Sequence, residues 1–481
     1  MRSRARLKAI PAIIYAAMLI LVCKSGPLHE ASPDIKPLIG PAPATEITLS
    51  CGTYPVETTE ITAVIQSEDV SKLDGFLYLT CADFSGSGCW KEIAEWGDAH
   101  PLLELKYTVT LPDGTVLDNS AAELDLSSLG HAAAAETAEA LACLPAVTHI
   151  KLGTQSSGSD ALTIADIGAI HEACPDAELD YSFTLYGHQI NLNDSALDFR
   201  GTEIGDEAAA LAEALPLMTR CTYLDMDNTG VSSEALAKIR ERFPKIDVVW
   251  RVWFGTNYSV RTDTERILAS KPSVGGMIYD ASVLQYCTKV KYLDVGHNDE
   301  LPSIDFAANM PDLEVLIIAM TAVTDISPLA NCPKLEYLEL NSTNIADLSP
   351  LKNSTGLHHL NIACCPQITD ISPLYGLTNL ERLWIGSQTP VPAEQVSAIR
   401  EKIPKCNVNT TAYDPHDGAW RYTDYDPEIP KYYWVPRYEL LRNQMGYNYQ
   451  EYSFYWLDPL CDKEAPAEFK GKYGKEVYGL Q

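Results

Sequence analysis

The chain has 481 residues, 46% hydrophobic and 21% charged, which is enough apolar material for a large core and argues against disorder. Sixty-five acidic against 36 basic side chains leave a net charge of −29. Such a surface repels nucleic-acid phosphates and anionic headgroups, so binding to either is set aside; the length admits two or three domains or one long solenoid.

Residues 1–23 read as a targeting segment. Arg2, Arg4, Arg6 and Lys8 precede an apolar run from Ile10 to Val22. That run is shorter than the roughly 20 residues of a spanning helix, so a secretory signal is expected, with an extracellular or cell-surface location. Cys23 closes the run where a bacterial lipoprotein carries its lipid, although Val22 stands where that motif has Gly, Ala or Ser. Lipidation at Cys23, ordinary cleavage and an uncleaved N-terminal anchor all remain open. Residues 24–45 are rich in proline and read as an extended linker.

Residues 46–285 carry an irregular repeat of long period. Pro101–Tyr107 is echoed by Pro175–Tyr181 and Pro244–Trp250, and the strands they open lead to Gly114, Gly187 and Gly255. Leu124-Asp125-Leu126 and Leu197-Asp198-Phe199 follow the first two, each before an Ala-rich helix, Ala132–Leu144 and Asp206–Leu215. These are β-α repeats interrupted by hairpin-like insertions. The phrase Lys238–Lys245 returns as Ala398–Lys405, which predicts one continuous solenoid. Cys81 and Cys89 flank a Ser-Gly-rich loop and are the expected disulfide. Asp225-Met226-Asp227-Asn228-Thr229 matches the D-x-D-x-T loop of haloacid-dehalogenase-type phosphatases. It also falls where the next repeat strand is due, and no Rossmann-like alternation surrounds it; the repeat reading is preferred.

Residues 286–410 are far more regular. L-x-x-L-x-L recurs five times: Val290, Leu293, Val295; Leu313, Leu316, Ile318; Leu335, Leu338, Leu340; Leu357, Leu360, Ile362; Leu380, Leu383, Ile385. The middle leucines lie 23, 22, 22 and 23 residues apart. Alternation within each run makes a strand with one buried face, and the constant period stacks the strands into a parallel ladder. Asp325-Ile326-Ser327-Pro328-Leu329, Asp347-Leu348-Ser349-Pro350-Leu351 and Asp370-Ile371-Ser372-Pro373-Leu374 each predict a short helical turn with Asp or Ser as cap and Pro at its start. Cys287 and Cys332 occupy equivalent places and read as small core residues.

This stretch resembles the leucine-rich repeats of internalin-type bacterial surface proteins, whose repeats share the DISPL-like turn. Thr321 and Thr343 stand where that family has Asn, and an extra residue enters around Cys364-Cys365-Pro366. The resemblance covers residues 290–385 alone. It implies an α/β solenoid, a leucine-rich-repeat horseshoe with a parallel concave sheet, that works by binding. The alternation with longer repeats is similar to exported leucine-rich-repeat proteins of Gram-positive gut bacteria.

Residues between the leucines point out of the ladder. They align as Tyr292, Val315, Tyr337, His359, Arg382 and as Asp294, Ile317, Glu339, Asn361, Trp384. Tyr, Trp, Arg and His make a hot-spot composition, so Tyr292, Asp294, Tyr337, Glu339, His359, Asn361, Arg382 and Trp384 are the candidate ligand contacts. Residues 411–481 hold 17 of the chain's 42 aromatics and read as a C-terminal cap over the last core, or as a platform for glycan. No nucleophile elbow, P-loop, zinc-protease motif or dinucleotide turn occurs. Neither a metal nor a cofactor is expected, and the chain reads as a non-enzyme. The leading expectation is an exported or cell-surface recognition protein for a protein or glycan partner. The alternative is a structural, cell-wall-associated protein held by its aromatic end, with a phosphatase at Asp225 a remote third.

Overall fold

The computed structural model describes residues 45–155, 158–205, 208–255, 258–270, 277–413 and 420. The signal segment, nearly all of the linker and most of the aromatic C-terminal segment therefore lie outside the described residues. The chain divides into two compact units between Thr108 and Val109. The expected change of repeat length near 285 falls inside the second.

The first unit opens with an antiparallel hairpin, Glu46–Leu49 against Gly52–Pro55. It then builds a parallel three-stranded sheet from Glu60–Thr62, Cys81–Asp83 and Glu104–Lys106. Ile61, Ala82 and Leu105 align across it, and the first two are buried. Helix Trp90–Ala99 covers this unit with Ile93 inward. Cys81 and Cys89 are both free thiols, contrary to the expected bridge. Cys81 belongs to a strand, whereas Cys89 caps the following helix and donates its thiol to the Ile65 carbonyl at 3.5 Å. The Ser-Gly loop between them turns the chain from strand to helix without a crosslink.

The second unit is a run of parallel ladders. Glu123–Asp125, His149–Thr154 and Glu178–Leu185 form the first. Ala196–Asp198, Tyr223–Asp225 and Asp247–Val249 form the second. A seven-stranded sheet follows: Arg266–Leu268, Tyr292–Asp294, Val315–Ile317, Tyr337–Glu339, His359–Asn361, Arg382–Trp384 and Asn407–Asn409. Successive parallel strands returning at repeat spacing make this a leucine-rich-repeat solenoid.

The strands of the solenoid fall into separate hydrogen-bonded sheets. Strand Glu178–Leu185 turns at Tyr186 and Gly187, both at positive φ (51° and 84°), and returns as His188–Asn191. Arg251–Phe254 likewise pairs back with Tyr258–Arg261 after Gly255. Each hairpin spends its strand's hydrogen bonds on an antiparallel partner, so the parallel ladder ends there and restarts one strand later.

The helices sit where Ala-rich or amphipathic stretches were read: His131–Leu141, Ala209–Ala214, Ser233–Arg242 and Ala393–Lys402. The echoed phrases share one tertiary contact. Arg240 donates to the Val248 carbonyl at 3.1 Å, and Arg400 donates to the Val408 carbonyl at 3.0 Å. In both, the helix's last turn is clipped to the following strand by an arginine eight residues before its acceptor.

In the seven-stranded sheet Ile267, Leu293, Leu316, Leu338, Leu360, Leu383 and Val408 align in one buried central column. After four of these strands the chain makes a left-handed turn, with His297, Met320, Ser342 and Cys364 at φ between 56° and 59°. The next residue anchors the turn. Asn298 bonds three carbonyls, Thr321 and Thr343 donate to Ile318 and Leu340 at 2.8 and 2.7 Å, and the Cys365 thiol donates to Leu340 at 3.2 Å. Thr and Cys thus do with one donor what Asn does with two. The DISPL segments become 3₁₀ turns, Ser327–Asn331, Ser349–Asn353 and Ser372–Gly376, with Pro at their start. Asp325, Asp347 and Asp370 each accept from the backbone N–H two residues on, at 2.7–2.8 Å. Cys287 and Cys332 are core residues, and burial pushes the Cys287 thiol up to about 12.

Candidate binding surface on the seven-stranded sheet

The two outward columns of the sheet run Arg266, Tyr292, Val315, Tyr337, His359, Arg382, Asn407 and Leu268, Asp294, Ile317, Glu339, Asn361, Trp384, Asn409. All eight sequence-predicted contact residues lie on them, brought together by a register that never slips. Tyr292 and Arg382 are half-buried. Asp294 is 4% exposed and accepts from the Gly296 N–H at 2.8 Å. Burial, and then a hydrogen bond to Glu314, raises the Tyr292 phenol above its ordinary range.

The middle of the columns is closed. Tyr337, Glu339, His359, Asn361 and Trp384 are at most 1% exposed. The side chain seen over them is Trp420, itself 1% exposed. Its ring lies 5.8 Å from Tyr337, 5.9 Å from His359 and 5.4 Å from Trp384, tilted or edge-on to each. Its indole N–H donates to Glu339 Oε1 at 2.8 Å, and the Tyr337 hydroxyl donates to the same oxygen. At the far edge, the Arg382 guanidinium stacks on Trp384 at 4.5 Å. Glu381 pairs with His358 at 2.9 Å and faces His359 at 3.4 Å.

Spacing in the repeats finds the columns and not their cover, because Trp420 follows Glu339 by 81 residues. The aromatic richness after Tyr413 was the available signal. The sequence reading offered that segment as a cap over the last core or as a platform for glycan; its one described tryptophan sits on the outward face. Two residues beyond the strand, Gly296, Ala319, Asn341, Ala363 and Gly386 form a third column of small side chains. Asn341 is the exception in it, buried, with its side-chain oxygen unpartnered among the described residues.

A second polar cluster lies on the ladder before this sheet. Asp225 accepts from Arg261 at 3.0 Å and from the Tyr223 hydroxyl at 3.3 Å. Asp227 accepts from Arg251 at 2.8 Å and lies 3.5 Å from Arg261. Burial alone would lower the Arg261 pKa, but hydrogen bonds to Asp225 and Asp263 outweigh it and raise it. Both carboxylates are nearly buried and their oxygens are tied to guanidinium groups, which competes with nucleophilic attack. Asp225 ends strand Tyr223–Asp225, and the Thr229 hydroxyl donates to the Met226 carbonyl as Thr321 does to Ile318. The D-x-D-x-T segment is thus built as a repeat unit. Among the described residues no three His, Cys, Asp or Glu side chains converge to hold a metal ion.

A family model of leucine-rich repeats in two copies matches residues 311–353. Those residues are leucine-rich repeats. The match spans two turns of the seven-stranded sheet, Val315–Ile317 and Tyr337–Glu339, including Glu339 of the covered surface. Among solved structures, an internalin C2 of Listeria monocytogenes aligns at 19% identity over 53% of this chain and 87% of its own, with a TM-score of 0.27. A second Listeria monocytogenes internalin aligns at 15% identity over 75% and 84%, also at 0.27. A leucine-rich-repeat protein of Leptospira interrogans aligns at 13% over 70% and 91%, again at 0.27. Superpositions this loose add nothing to the repeats already read from the ladder. No curated protein sequence matches the chain.

Proposed function

We propose that this chain is an exported bacterial recognition protein whose leucine-rich-repeat sheet binds a protein partner through its outward columns. The observation that carries the reading is composition at a fixed register. Tyr292, Tyr337, His359, Arg382 and Trp384 gather aromatic and guanidinium groups on one face, with Asp294, Glu339 and Asn361 as acceptors beside them. Aromatic and arginine side chains dominate the energetics of protein interfaces. A glycan partner is the second ligand class, since the same rings stack on sugars.

Tyr292 and Arg382 are the residues to test, because they are half-buried and truncation there spares the core. Surface pull-down with Tyr292→Ala/Arg382→Ala should lose the partner retained by wild type, at an unchanged melting temperature. Retention by the double variant would sink the reading. The chain works by binding and not by catalysis: Asp225→Asn should leave any phosphatase activity of the purified protein at background. Export from residues 1–23, with or without lipid on Cys23, is read directly by mass spectrometry of the mature N-terminus. The cell-wall alternative predicts that removing residues 421–481 abolishes sedimentation with cell walls.

A further inference from the structure

We propose that the covered centre of the sheet is a receptor for a tryptophan side chain, occupied at rest by the chain's own Trp420. The partner it is built to take is then a polypeptide that presents an exposed tryptophan. This rests on the recognition reading above and names the ligand chemistry of the same surface.

The argument starts with Glu339. A carboxylate at 0% exposure is costly unless donors surround it. Two are described on one of its oxygens, the Tyr337 hydroxyl and the Trp420 indole N–H. Tyr337 lies two positions earlier in the same strand and is fixed by the fold. Trp420 comes from a distant part of the chain and is the separable donor. Around that N–H, Tyr337, His359 and Trp384 supply aromatic walls at 5.4–5.9 Å, the separation of favourable tilted ring pairs. The box therefore selects a flat apolar body carrying one N–H donor at its rim. Among side chains, indole has that combination.

Asn341 adds an independent observation. It is the polar member of a column otherwise built of Gly and Ala, and its buried Oδ1 is unpartnered among the described residues. A buried acceptor left open two residues beyond Glu339 costs stability, which is expected where a ligand's donor completes the site. Trp420 satisfies Glu339 and leaves Asn341 open. A partner's tryptophan, with its backbone N–H groups, can satisfy both, and this difference lets an outside ligand displace the internal one.

The test uses full-length protein and N-acetyl-tryptophanamide as the probe, by calorimetric titration. Trp420→Ala should bind the probe at least tenfold more tightly than wild type, and adding Glu339→Gln should remove at least tenfold of that affinity. Folded Trp420→Ala with no gain over wild type overturns the proposal. So does a gain for N-acetylglucosamine in place of the tryptophan probe, which would assign the box to sugars. Should Trp420→Ala fail to fold, Trp420→Phe keeps a ring without the N–H, and it must bind the probe more tightly than wild type or the proposal falls. Failure of the two readings is separable. Probe binding without loss of the partner in Tyr292→Ala/Arg382→Ala sinks the recognition surface, whereas partner capture that Trp420→Ala and excess probe leave unchanged sinks the tryptophan receptor.

Discussion

Two buried positions show how single residues hold this fold, one by charge and one by the lack of a side chain. Asp69 is fully buried in the first unit. It accepts from the Ser50 N–H at 2.9 Å, the Gln66 N–H at 3.1 Å, Lys72 at 3.0 Å and the Ser50 hydroxyl. Burial alone would raise its pKa, but these donors outweigh it and hold the carboxyl well below the ordinary range. A depressed folded pKa gives stability that is present above the unfolded value of about 3.9 and lost as pH falls below it. Urea midpoints should therefore drop between about pH 5 and pH 3 in wild type, and less steeply in Asp69→Asn. Gly386 works by omission. It sits at φ +68°, and a Cβ there would lie 3.0 Å from the Ala412 carbonyl and 3.2 Å from Ala363 Cβ. Gly386→Ala should cost about 1–3 kcal/mol, read as a lower denaturant midpoint at unchanged slope.

At the scale of elements, the short repeat is a strand, a left-handed turn and a 3₁₀ turn, each fixed by a different residue. Asp347 holds the last of these through the Ser349 N–H at 2.8 Å and the Ser349 hydroxyl at 2.7 Å. Leu348, not Asp347, holds the cap position of this turn, so Asp347→Ala should destabilise the protein by about 0.5–1.5 kcal/mol through loss of its hydrogen bonds to Ser349, and thermal melts will show it. This unit was legible because Leu, Ile or Val fills all three buried positions at a period of 22 or 23 residues. The same sheet begins one strand earlier, at Arg266–Leu268, and there the pattern fades. Thr264 and Ala269 replace the outer leucines, leaving Ile267 as the single strong signal. Hairpins were announced by Gly187 and Gly255, but their effect on the ladder was not. A strand's partner depends on which edge it meets in space. The burial of Glu339 and Trp384 was hidden for the same reason, since side-chain alternation says which face a residue leaves by and nothing of what lies upon it.

At the scale of the whole molecule the charge of −29 sets what the protein meets without sticking. Its arginines at 200, 251 and 261 are spent on Asp198, Asp225, Asp227 and Asp263, and so offer little to an outside anion. The protein should flow through a heparin column at about 0.05 M salt and leave duplex DNA unshifted in a gel. Retention on either would mean that a basic patch survives the pairing. The tryptophan receptor stands out against this background as a site that selects by ring shape and one donor, with no need of net charge.

The eleven described cysteines are all free thiols, most of them packed in the core with burial raising their pKa. A thiol kept protonated in this way is a poor nucleophile and a slow partner for oxidants. Dithiothreitol should leave the melting temperature of the protein unchanged. The array can assemble from its own periodicity, with no disulfide among the described residues to hold its register.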